Sequence, residues 1–140
     1  MQLPEFKRSY TWGRLIGFES GPRREITLFI RDYPSDLSNR HSHKWKENRV
    51  PDPVHCIRFG GVENFDEVHA FFRSVKRKKH MTPIVDWIAY DSQQKSKSGQ
   101  LFIRMFFDSP GVGVTVQCSN FVESENLLNQ PFNNSIAPFS

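Results

Sequence analysis

The chain has 140 residues, 37% of them apolar and 14% aromatic, and its 19 Lys+Arg against 15 Asp+Glu leave a net charge of +4. Such a length suits one domain able to bury roughly two-thirds of its unfolded surface, and thirteen phenylalanines exclude a chain too polar to fold. No run approaches the roughly twenty apolar residues of a membrane helix, and the start Met1-Gln2-Leu3-Pro4-Glu5 lacks the basic-then-apolar layout of a secretory signal, so a cytoplasmic protein without membrane contact is expected.

Thr11 to Glu19 has the composition of a first strand, closed by the turn signal Ser20-Gly21-Pro22. Ile26 to Arg31 follows as a second strand, close enough to form an antiparallel hairpin, since a parallel connection needs a dozen or more residues. From Asp32 to Pro53 the chain is polar, with Pro34, Pro51 and Pro53 and the cluster Arg40-His41-Ser42-His43-Lys44, and a long loop is expected. Val54 to Phe59 is a half-buried third strand, stopped by Gly60-Gly61.

Asn64 stands at a helix N-cap, with Glu67 where a capping-box partner belongs, and Phe65, Val68, Phe71, Phe72 and Val75 recur at helical spacing. A helix from Phe65 to Lys79 is predicted; the alternative is an extended segment, because Val68, Phe71 and Phe72 also favour strands. Ile84 to Tyr90 and Leu101 to Phe107 are the next strands, joined by the polar linker from Asp91 to Gln100. Asp108-Ser109-Pro110-Gly111 is a tight turn, and Val112 to Cys118 is a strand of small and β-branched residues. Residues 1–122 are expected to form the single domain, and 123–140, rich in Asn and Ser, a polar tail.

The pattern predicts an α+β fold: a mainly antiparallel sheet of about six strands with one helix covering a face. An all-β sandwich or partly open barrel is the alternative.

Little in the sequence carries enzyme chemistry. His41, His43, His55 and Cys56 are zinc-type ligands, but they lack the paired spacing of a structural site, and the adjacent His55 and Cys56 should point to opposite faces of a strand. Cys118 with His55 or His69 is the one conceivable thiol–imidazole pair, yet Cys56 and Cys118 lie in apolar strands, where buried free thiols are the ordinary outcome. Asp91 and Asp108 are explained by turns, Asp86 stands near a strand end, and Gly111-Val112-Gly113 lacks the third glycine and following helix of a nucleotide loop. No catalytic residue, metal or cofactor is expected.

The run Arg73-Ser74-Val75-Lys76-Arg77-Lys78-Lys79-His80 packs five positive charges into eight residues. Such a run attracts phosphate backbones or acidic surfaces, and it also suits a solvated helix C-terminus, where cations complement the macrodipole. Lys95, Lys97, Arg40, Lys44, Lys46 and Arg49 would extend the patch, with Trp45 or Phe72 as a stacking surface for bases. Every Lys and Arg lies at or before Arg104, so the basic character is concentrated in the first three quarters of the chain.

Over residues 11 to 122 the chain resembles small β-rich bacterial immunity proteins of polymorphic-toxin systems. The carrying segments are Trp12-Gly13-Arg14-Leu15-Ile16-Gly17-Phe18, Ile26-Thr27-Leu28-Phe29-Ile30, Ile57 to Phe65 and Val114-Thr115-Val116-Gln117-Cys118. The resemblance implies a non-enzymatic protein that neutralises a toxin by masking its surface; it transfers no functional residue. Another protein is thus the first expected partner and nucleic acid the second. A small-ligand-binding protein or an unrecognised enzyme is the third alternative, and would need a cavity where Asp86, Trp87 or a histidine converges with other polar groups. The oligomeric state is not set by the sequence.

Overall fold

The computed structural model describes residues 3–31, 54–76, 83–91, 99–109 and 111–126. They form seven strands and one helix in the order β1 (Arg14–Gly21), β2 (Glu25–Arg31), β3 (Val54–Gly60), α1 (Phe65–Lys76), β4 (Ile84–Tyr90), β5 (Leu101–Ser109), β6 (Val112–Cys118) and β7 (Asn120–Asn126). The fold is α+β, as expected, with one open antiparallel sheet in the order β6-β5-β4-β1-β2-β3-β7. No helix among the described residues is long and apolar enough to cross a membrane.

Two half-sheets, β7-β3-β2-β1 and β4-β5-β6, meet at a narrow seam. Arg14 pairs with Ile84 there, and backbone bonds from Trp12 N–H to Val85 C=O, Val85 N–H to Gly13 C=O and Leu15 N–H to Pro83 C=O complete it. The sheet also curls. β6 and β7 are its outer strands, yet the single residue Ser119 joins them, its N–H bonded to Gly60 C=O at 2.9 Å. Across the interior, Tyr90 of β4 and Phe121 of β7 bring their rings to 6.5 Å.

Strand side chains alternate between faces, and the inner face holds the core. Leu15, Phe18, Ile26, Leu28, Ile30, Ile57 and Phe59 come from one half-sheet and Val85, Ile103, Met105, Phe107, Val114 and Val116 from the other, all buried with Val68 and Phe72 of α1. The N-terminal segment before β1 packs Leu3, Phe6 and Tyr10 against the same core.

The helix begins where the sequence placed it, but Asn64 does not act as a side-chain cap. Its Oδ1 accepts the Gln117 N–H at 2.9 Å, and its Nδ2 donates to Thr115 C=O at 2.8 Å and to Glu67 Oε2 at 2.9 Å. The amide therefore ties the start of α1 to the free edge of β6. Gly61, which stops β3, has φ +59°, and a methyl group there would lie 2.5 Å from Ser119 Oγ.

The expected sheet of about six strands has seven, the last being β7, which pairs with β3 from Gly60↔Asn120 to Val54↔Asn126. Strand structure thus runs on past residue 122, where the tail was expected to begin, because β3 offers it a free edge; residues 127–140 lie outside the described residues. The α1 helix, ending at Lys76, settles the choice between helix and extended chain at residues 65–76. Phe72 is completely buried, against Phe18 at 5.5 Å and Phe107 at 6.1 Å, so it offers no stacking surface.

Candidate binding surface

Of the residues marked by the sequence, Arg73 is exposed on the outer side of α1, in a shallow cleft with Asp66, His69, Ala70 and Ser74. Lys76 is the last helical residue. Trp45, Arg77, Lys78, Lys79, Lys95 and Lys97 lie outside the described residues, as do His41, His43, Arg40, Lys44, Lys46 and Arg49.

The candidates for chemistry are held in other roles. His55 and Cys56 do face opposite sides of β3. His55 lies inward and bonds through Nε2 to the Arg8 guanidinium, while Cys56 packs with Ile16, Phe29 and Val54 on the outer face. Burial pushes the Cys56 thiol up, and that of Cys118 up to about 12, so both stay protonated, poor nucleophiles near neutrality. His69 stacks on Phe65 at 5.5 Å. Tyr10 donates its hydroxyl to Glu123 on β7, and burial with that bond raises its pKa well above the usual tyrosine range. With Lys7 N–H also on Glu123 at 2.9 Å, this network straps the N-terminal segment across β3 and β7.

The outer face collects a different set. Alternation along β1, β2, β3 and β5 puts Arg14, Arg31, Arg58 and Arg104 there, together with Glu19, Glu25 and Asp108, of which Glu25 lies 3.8 Å from Arg58. Glu123 and Glu125 face inward, opposite Ile57 and His55, and Asp66 and Glu67 occupy the first turn of α1. The arginines of the described strands thus all lie on the outer face, interspersed with carboxylates.

On the β4–β5–β6 half, Trp87 and Phe106 are cross-strand partners whose rings stack at 6.3 Å and 16°. Trp87 remains 40% exposed. Arg104 is one row along the same face, its Nη1 donating to Thr115 Oγ1 at 3.1 Å. Gly113 is the floor of the arrangement: a methyl group there would stand 3.2 Å from Phe106 Cδ2 and 3.3 Å from Arg104 Nη2. Both side chains thus border the space that Gly113 leaves open. The result is an outer-face surface of two stacked aromatic rings with the Arg104 cation one row away.

Sequence reasoning missed this surface. Trp87 and Phe106 are 19 positions apart, and only the β4–β5 register, with its two irregularities between Ile84 and Trp87, brings them together. The available signal was the alternation along β5 of Arg104 and Phe106 with the buried Ile103, Met105 and Phe107; on β4 the irregularity puts Val85 inside and Trp87 outside, against simple alternation. No family model matches the chain, and none of the curated proteins or solved structures matches it.

Proposed function

We propose that the chain is a non-enzymatic binding protein that engages single-stranded nucleic acid on the outer face of its sheet. The observation that carries this function is the exposed Trp87–Phe106 stack with Arg104 one row along the same face. Bases stack on such aromatic surfaces for about 1–3 kcal/mol each, largely without regard to sequence, and arginine adds cation–π and phosphate contacts. Burial of both thiols favours binding over catalysis, and their free state suits a reducing, cytoplasmic compartment.

Fluorescence anisotropy with labelled twelve-nucleotide RNA and DNA at low and near-physiological salt tests this. Binding should weaken steeply with salt, and Trp87→Ala should weaken it about tenfold or more, the equivalent of one lost stacking contact. A set of Lys76, Arg77, Lys78 and Lys79 to alanine should weaken it uniformly across sequences if the basic run supplies phosphate contacts. No binding at low salt, or equal binding by Trp87→Ala, would overturn the assignment.

A second function, toxin neutralisation by an immunity-type protein of bacterial origin, is favoured by one feature. Val122 is 48% exposed on β7, an outer strand of the sheet, and such an edge can accept a strand from a protein partner.

A further inference from the structure

We propose that Arg14 and Arg31 form a binding site for a dianionic phosphate group. They are direct cross-strand partners on the outer face, Arg14 at the start of β1 and Arg31 at the end of β2. Side chains so placed have Cβ atoms about 4.5–5.5 Å apart, and like charges there repel. The Nε of each is buried and has no hydrogen-bond partner among the described residues. A buried guanidinium donor without an acceptor is costly, and two side by side double the deficit.

Among the described residues, their neighbours in the row offer no compensation. Ile84 flanks Arg14 and Val54 flanks Arg31. On β1 and β2 the carboxylates of the same face, Glu19 and Glu25, lie five positions from Arg14 and six from Arg31, about 17–20 Å away at strand rise, while Asp108 of β5 stands two strands from Arg14, beside the Ser109 that pairs with Ile84. A tetrahedral oxyanion bridging the two guanidinium groups would satisfy both Nε donors in the paired geometry that arginine favours. A phosphate monoester, with a charge of about −1.5 to −2 near neutrality, matches two fixed cations better than a single carboxylate.

The chemistry fits free phosphate and the terminal phosphate of an oligonucleotide alike. The second source rests on the proposed function: Ile84, the neighbour of Arg14, is three residues from Trp87 on β4, about 10 Å along the strand. A strand stacked at Trp87 would have its terminal phosphate within reach of the pair.

The test follows the arginine Nε–Hε resonances by NMR while inorganic phosphate is titrated into the full chain at constant ionic strength, with chloride and acetate as controls. Saturable shifts of Arg14 and Arg31 with phosphate alone are expected, weakened about tenfold or more in Arg14→Gln and Arg31→Gln, as suits a lost hydrogen bond to a charged group. The double glutamine variant, freed of the repulsion, should keep or raise its urea midpoint without phosphate, which separates lost binding from lost folding. Shifts that do not saturate, that appear equally with chloride, or that persist in the variants would overturn the site. Oligonucleotides with and without a terminal phosphate form the second arm. A terminal-phosphate advantage lost in the arginine variants supports the nucleic-acid source. Phosphate binding without oligonucleotide binding supports the site and overturns the proposed function; the converse overturns the site and leaves that function standing.

Discussion

The two faces of the sheet are made by the same strands, yet they obey different rules. Inward positions are apolar apart from His55 and the Glu123 and Glu125 of β7, and they merge both half-sheets, α1 and the N-terminal segment into one core. Outward positions carry arginines, a small buried cluster around Phe29 and Cys56, and the exposed Trp87 stack. With a side-chain period of two, each strand sequence is in effect two interleaved messages. The inner one specifies the fold, and the outer one is free to specify a partner.

The sharpest break in that comparison is a cavity on the inner side. Phe72→Ala should cost about 3–5 kcal/mol in urea unfolding, because Phe18, Phe71 and Phe107 enclose the ring and cannot all collapse into its space. A loss under about 1 kcal/mol would mean that α1 is not seated on the core. Next in size is Gly61→Ala, at about 1–2 kcal/mol, since a non-glycine residue in the left-handed region costs that much by itself and the added methyl meets Ser119. An unchanged urea midpoint would show that the β3 terminus does not need this conformation.

Legibility in the sequence also divides by face. The strands β1 to β6 and the start of α1 were readable because their inward positions follow an apolar period of two, then of 3.6. The strand β7 was not, because its inward positions after Phe121 are Glu123 and Glu125. Glu123 is a satisfactory inward residue only because Tyr10 and Lys7, more than a hundred residues earlier, donate hydrogen bonds to it. No local pattern carries that information. The role of Asn64 was half readable: its position at the helix start is local, but its acceptor serves β6. The outer surface was least readable, since Arg14 meets Arg31, and Trp87 meets Phe106, through register alone.

A smaller effect tests how dry the inner side is. Burial raises the Cys118 thiol from 9.0 to about 12, so the folded chain keeps a proton that the unfolded chain releases first as pH climbs past 9. The unfolded state then binds fewer protons, and stability falls with rising pH between those two values. At pH 10 the loss relative to pH 8 should be about 1 kcal/mol from this group. The slope should shrink in Cys118→Ala, the remainder coming from Tyr10, Tyr90 and Cys56, which burial also raises. An identical slope in the variant would place the thiol in contact with solvent.

The smallest stability effect belongs to Trp87→Ala, and it is the counterpart of the first. Both changes remove an aromatic ring, but Trp87 has 40% of its surface in water already and rests mainly on Phe106. An aromatic pair of this kind contributes about 0.5–1.5 kcal/mol, so the unfolding free energy should drop by about 1 kcal/mol or less while oligonucleotide affinity falls about tenfold or more. Phe72→Ala should do the reverse: at a temperature where it is still folded, its affinity should match the parent chain. If instead Trp87→Ala unfolds the protein, the ring belongs to the structural message, and the division of labour between the faces fails at the position where it is most sharply drawn.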